Sequence, residues 1–243
     1  MIFAAGLGTR LRPITNTIPK AMLPVCGEPL IAHVIRNLKK YGYDDFVVNV
    51  HHFPDQIIGY LKEHDNFGVR IQISDERDLL RDTGGGLAYA EPLLKDAEEG
   101  KFLIHNVDIL SDLDFSWLRT AIPAEAVATV IVSPRKTSRY FLFNEEMRLV
   151  GWTNISTGEV KTPYEHLDVE ACHKYAFAGM HVDSVKIFDL FREAGMPERF
   201  PIVDFYLSIC KDHLVYGVVP PELTLIDVGK LETISVAEEF LSR

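Results

Sequence analysis

The residues best suited to chemistry stand at the start of the chain, in MIFAAGLGTRLRPITNTIPKAMLPV. There Gly6 and Gly8 are followed by Arg10, Arg12 and Lys20, with three prolines by residue 24. The short apolar run ending in Gly6-Leu7-Gly8-Thr9 predicts a buried strand feeding a tight turn. Glycines let the backbone take positive φ and let a ligand reach the N–H groups closely. Arg10, Arg12 and Lys20 then place cations beside those amides. The combination suits a polyanion, and a phosphate first of all.

Two carboxylates are candidates to join them. Asp108 closes the apolar run KFLIHNVD and Asp227 closes LTLID, so each is expected at the end of a strand. A hard divalent cation such as Mg²⁺ usually takes one or two carboxylates plus phosphates and waters. The plainer reading is that each caps a turn or helix, where Asp is common. DTGGGLA, from Asp82 to Ala88, is a second glycine-rich turn at a helix start, able to approach a flat base closely. His51 and His52 follow a strand without the partners of a metal set, and read as loop surface near the pocket. Trp117 and Trp152 read as core or rim anchors. There is no Gly-x-Ser-x-Gly elbow and no Cys–His signature of a covalent nucleophile.

These residues need elements to position them, and helix and strand signals alternate. In PLIAHVIRNLKKYG the apolar residues Leu30, Ile31, Val34, Ile35 and Leu38 share one helical face, with Gly42 as a stop. DFVVNV, VRIQIS and KFLIHNVD read as strands, with PDQIIGYLKEH and GGGLAYAEPLL as the helices between them. AVATVIVS reads as a strand buried on both faces. RYFLFN, RLVGWTN and GEVKTP suggest a small antiparallel excursion. KYAFAGMHV and LTLIDVG read as strands. SVKIFDLFREAG, FPIVDFYLSICKDH and KLETISVAEEFL read as helices. The expected fold is α/β, a doubly wound, mostly parallel mixed sheet with helices on both faces. Ligands in such sheets sit beyond the carboxyl ends of strands.

The chain of 243 residues, 47% hydrophobic, is expected to form a single domain over 1–243. Its mean hydropathy of +0.03 is that of an ordinary globular protein. A net charge of −10 argues against nucleic-acid binding, which relies on a basic surface. No segment approaches the roughly 18 apolar residues of a membrane span. The N-terminus lacks the basic region of a signal peptide and its apolar run breaks at Gly6. The first strand begins at Met1, which leaves room for residues upstream in the natural chain. Cys26, Cys172 and Cys210 lack metal or redox spacing and read as buried free thiols of a cytoplasmic protein.

FAAGLGTRLRPITNTIPKAMLPVCGEPLI resembles the signature of the sugar-phosphate nucleotidyltransferases, or nucleotide-sugar pyrophosphorylases. DTGGGL, HNVDIL and LIDVGKLETISVAEEFL match later family elements in order, so the resemblance spans the chain. It implies a Rossmann-like, glycosyltransferase A-type fold without a β-helix tail. It implies that Ala5, Gly6, Gly8, Thr9 and Arg10 hold a nucleoside triphosphate, with UTP favoured, and that Gly84 and Gly85 line the base. Arg10 and Lys20 become the catalytic cations, Asp108 and Asp227 the Mg²⁺ ligands, and Asn106 and Gly179 the sugar contacts. The other substrate is a sugar 1-phosphate, and the enzyme is expected to be a monomer or small homo-oligomer. Three departures stand out. The usual Gly-Asp is Val107-Asp108, where the branched side chain is expected to fill space beside the sugar or ribose. The usual Asp-Val-Gly-Thr ends in Lys230, and a sugar-phosphate-gripping Glu-Lys-Pro is only echoed by GEVKTP.

The rival readings are separable. A dehydrogenase needs a third glycine where Leu11 stands. A non-catalytic regulatory subunit of the same fold is expected to have lost Arg10, Lys20 or a carboxylate, and all four remain. A cytidylyltransferase acting on a phosphorylated alcohol such as phosphocholine is the alternative within enzymes.

Overall fold

The amphipathic spacing of Leu30 to Leu38 becomes a helix whose apolar stripe is buried and whose last turn carries Lys39 and Lys40. The structure, a computed structural model, describes residues 1–242. The chain runs β1 Ile2–Phe3, β2 Pro24–Val25, β3 Glu28–Pro29, α1 Leu30–Lys40, β4 Asp45–Val50, α2 Pro54–Glu63, β5 Arg70–Asp75, α3 Asp82–Tyr89 and α4 Glu91–Leu94. Next come β6 Lys101–Asn106, β7 Ile109–Ser111, α5 Phe115–Ala121, β8 Ala128–Ser133, β9 Arg139–Phe143, β10 Leu149–Asn154, β11 Glu159–Lys161 and β12 His173–Ser184. α6 Ile187–Glu193, α7 Ile202–Ile209, β13 Val215–Val218, β14 Leu225–Asp227 and α8 Thr233–Leu241 follow.

Residues fall into two compact units. The first comprises Met1–Arg81, His105–Ser116 and the segment from Thr224 onward. In it β1 lies between β4 and the end of β6, and β4 pairs with β5, all parallel. Phe3 stands opposite both Asn49 and Asn106, so these strands end at a common edge. The segments after Phe3, Val50, Asp75 and Asn106 therefore emerge together, where ligands of open α/β sheets bind. A short antiparallel pair, β7 with β14, sets Asp227 opposite Ile109 and returns the late carboxylate to the early one.

The second unit comprises Asp82–Ile104 and Trp117–Leu223. Here β9, β10 and β11 form the expected antiparallel excursion, and β12 pairs antiparallel with β8 and β9. β8 is buried at all six residues, Thr129 and Ser133 included, as a strand read as buried on both faces predicts, and β12 and β13 flank it in the sheet. The strand β13 has no counterpart in the sequence reading. It is four residues long and carries Gly217, whose missing Cβ makes room for the Phe143 ring. The α/β class with a mixed sheet is what these pairings build.

No helix among the described residues is long and apolar enough to cross a membrane. All three cysteines are free, but only Cys210 is buried; Cys26 is exposed and Cys172 half-buried. The expectation of buried thiols thus holds for Cys210 alone.

His105 in β6 is buried and donates through Nδ1 to the Asn106 carbonyl at 2.8 Å. Burial pushes its pKa from 6.5 down to about 4. The folded state therefore binds fewer protons than the unfolded chain between those values. Its contribution to stability is whole above about pH 6.5 and lost as pH falls toward 4, about 3 kcal/mol in all. Urea titrations across that range should show a shallower acid-side decline in His105→Asn, which keeps a donor at the δ position.

Candidate active site

The signature segment folds as three short 3₁₀ turns, Thr9–Leu11, Ile14–Asn16 and Lys20–Met22, and its proline-rich sequence favours such turns over a long helix. Gly8 begins the first turn at φ +60°, and its carbonyl accepts from the Leu11 amide and the Thr15 hydroxyl, each at 2.8 Å. A Cβ there would lie 2.8 Å from the Thr15 methyl, so both conformation and space require glycine. Gly6 differs, since nothing lies within 4 Å of its Cβ position. The loop is thus clamped at Gly8 and open at Gly6. His52 donates to the Thr15 carbonyl at 2.9 Å and His51 to the Glu76 carbonyl at 2.7 Å, so both histidines brace loops.

Lys20 forms an ion pair with Asp108, the two side chains 12% and 17% exposed. Asp108 does not close β6 as the sequence suggests. The strand ends at Asn106, and Asp108 lies in the turn to β7, where its carbonyl accepts from the Val228 amide at 2.8 Å. That bond ties the turn to the segment after Asp227. Gly229 is bare for a reason: a Cβ there would meet Asp227 Oδ1 at 2.6 Å and Arg10 Nη2 at 2.7 Å. The first unit therefore gathers four of the predicted site residues, Arg10, Lys20, Asp108 and Asp227. Ala5 is buried just after β1, and Thr9 and Arg10 are exposed.

The carboxylates fit a hard cation. Asp227 Oδ1 is buried without a hydrogen-bond partner, a costly arrangement for an anionic oxygen unless a cation meets it. Among the described residues no group of three or more His, Cys, Asp or Glu is placed to hold a metal ion, so an ion here relies on two aspartates and oxygens from elsewhere. Mg²⁺ bound together with substrate phosphates has that habit.

Other expected residues have different surroundings. Val107 is only 3% exposed and packs into the core, because its amide continues the sheet by donating to the Phe3 carbonyl. Its side chain thus exposes little surface, whereas the sequence suggests one facing a sugar or ribose. Gly84 and Gly85 are buried in the second unit, and their amides donate to the Phe200 carbonyl at 2.9 and 3.2 Å. A Cβ on Gly84 would strike the Phe200 ring at 2.2 Å, and one on Gly85 the Glu198 carbonyl at 2.3 Å. These glycines admit the Glu198–Phe200 segment. Gly179, also in the second unit, has φ +74° and lies where the β8–β12 register shifts between Phe177 and His181. Asn106 ends β6 half-buried.

Asn49 and Glu76 are among the buried polar residues of the first unit that escape the sequence reading. Asn49 is legible in principle as the one polar residue inside the apolar strand FVVNV. Glu76 stands after a strand in a charged stretch and looks solvated. Burial raises its carboxyl, and the Asn49 and Arg81 donors oppose that rise.

The profile of the family described as nucleotidyl transferase matches residues 1–189. An N-acetylmuramate alpha-1-phosphate uridylyltransferase of Caulobacter vibrioides is 30% identical over 248 residues, covering all of this chain and 96% of that one. A mannose-1-phosphate guanyltransferase of Eremothecium gossypii is 29% identical over 209 residues, which is 84% of this chain and 55% of that one. The solved inositol-1-phosphate CTP transferase from T. maritima superposes with a TM-score of 0.73 at 19% identity, covering 98% of this chain and 95% of that one. That last likeness concerns the fold alone.

Proposed function

The chain belongs to the nucleotidyl transferase family, and from that premise we propose the reaction it carries out. A nucleoside monophosphate passes from a nucleoside triphosphate to a sugar 1-phosphate, giving a nucleotide sugar and pyrophosphate. The observation that carries the site is the convergence of Arg10, Lys20, Asp108 and Asp227 around the turns at Asp108 and Gly229.

An oxygen of the sugar phosphate attacks the α-phosphorus, the bond from that phosphorus to the bridging oxygen breaks, and pyrophosphate leaves with the electron pair. Both reactants are anions, so the protein's task is alignment and neutralisation of charge. The backbone from Ala5 to Thr9, open at Gly6, receives the triphosphate, with Arg10 against its phosphates. Lys20 meets the charge that gathers on the reacting phosphate, and Asn106 borders the sugar side. Asp108 and Asp227 would hold Mg²⁺, which when bound neutralises phosphate oxygens and fixes their direction.

UTP is the favoured donor and N-acetylmuramate 1-phosphate the favoured acceptor, on the strength of the full-length likeness to the Caulobacter protein. The same reading includes a cytoplasmic enzyme, a monomer or small homo-oligomer, that uses neither nucleic acid nor membrane. The test is a screen of four nucleoside triphosphates against a panel of sugar 1-phosphates, read as pyrophosphate. UTP should give the highest kcat/KM with at least one amino-sugar 1-phosphate. A clear preference for another base would move the donor assignment, and release of pyrophosphate with phosphocholine alone would replace the acceptor class.

A further inference from the structure

Ala4 carries the last amide before the Ala5–Gly8 loop, and a buried side chain holds it. Asn49 Oδ1 accepts from the Ala4 amide at 2.7 Å, and Asn49 Nδ2 donates to Glu76 Oε1 at 2.7 Å. The other oxygen, Glu76 Oε2, accepts from the Arg81 amide at 3.2 Å. Asn49 is 3% exposed and Glu76 fully buried. The backbone of Glu76 is fastened as well: its amide donates to the Val50 carbonyl at 2.8 Å, and its carbonyl accepts from His51.

A buried carboxylate held mainly by amide donors is costly unless its orientation does something an amide cannot. The chemistry of the three groups supplies that reason. A carboxamide has one accepting and one donating end; the Ala4 amide can use only the accepting end, and a partner that accepts at both oxygens holds the donating end in place while also meeting the Arg81 amide. Glutamate is that partner; glutamine is not.

We propose that Glu76 is a positioning residue for the reaction, orienting the Asn49 carboxamide so that Ala4, and with it the entry to the glycine loop, is held for the triphosphate. It touches no substrate. The functional half of this inference rests on the reading given under Proposed function.

Glu76→Gln deprives either Asn49 Nδ2 or the Arg81 amide of the carboxylate oxygen it now meets, and loosens the hold on the Asn49 carboxamide. The double variant Asn49→Asp, Glu76→Gln restores every bond with the roles exchanged. The new carboxylate at position 49 accepts from the Ala4 amide and from the new carboxamide nitrogen at position 76. The carboxamide oxygen at position 76 then accepts from the Arg81 amide. Two readouts are followed on the full chain, the KM for UTP and the hydrogen-exchange rate of the Ala4 amide. Glu76→Gln should raise both by about tenfold, the size of one modest hydrogen bond, with kcat changed less. The double variant should return both to within about threefold of wild type, the margin a modest hydrogen bond leaves.

An unchanged KM in folded Glu76→Gln, or a double variant no better than the single one, would overturn the proposal. Should Glu76→Gln not fold, a folded double variant with wild-type KM supports the exchange, and an unfolded one refutes it. A wild-type protein without nucleotide transfer would remove the functional reading alone. Ala4 exchange then judges the network by itself, and equal rates in wild type and Glu76→Gln reject it.

Discussion

Lys20→Ala and Arg10→Ala should each lower turnover about 10²–10³-fold at saturating substrates, the usual effect of removing a preorganised group aimed at developing charge. Lys20 is held by Asp108 and flanked by a loop clamped at Gly8, so its amine is already in place when the phosphates arrive. Arg10 is exposed and lies against the bare backbone of Gly229, which leaves it no core to support. The fold should therefore survive both changes, with thermal unfolding of Arg10→Ala within a degree or two of wild type. Lys20→Arg keeps the charge but changes its shape, and should recover only part of the rate. Near wild-type turnover in both alanine variants would show that neither cation serves the reaction.

The second large effect belongs to the carboxylates, and its two readouts move in opposite directions. Asp227→Asn should reduce activity by at least about 10²-fold, because metal charge stabilisation is worth several kcal/mol. Yet Oδ1 of Asp227 is buried without a partner in the metal-free protein. Removing its charge should stabilise that state, and each 1 kcal/mol gained raises the melting temperature by about 2–4 °C for a chain of this size. Magnesium should raise the melting temperature of wild type and leave Asp227→Asn unmoved. Asp108→Asn should also lose activity, but without the gain in stability, because it breaks the pairing with Lys20. Full activity of wild type in excess chelator would remove the metal from the account.

Much of this arrangement is legible in the chain because it is local. The helical face of α1, the largely apolar run of β8 and the Gly6–Lys20 signature each lie within a short window, where periodicity and turn chemistry suffice. The residues less well read depend on distant partners. Gly84 and Gly85 are conspicuous as glycines, but what requires them is the Glu198–Phe200 segment, more than a hundred residues on. Val107 looks like a change in a pocket wall, and only its burial in the folded chain shows that it packs with the core. Asn49 and Glu76 come from different strand ends, and the parallel register that brings them together is a property of the sheet. β13 escapes because it is short and its glycine answers to Phe143 in another strand.

The most direct test of the central claim follows two labels through one turnover. UTP carrying one phosphorus isotope at the α-position and another at the γ-position is incubated with the full chain, Mg²⁺ and a sugar 1-phosphate. Transfer of a nucleoside monophosphate places the α-label in the nucleotide sugar and the γ-label in pyrophosphate, in equal amounts. Appearance of the γ-label on the sugar, or of neither label in product across the sugar phosphates tested, would contradict it.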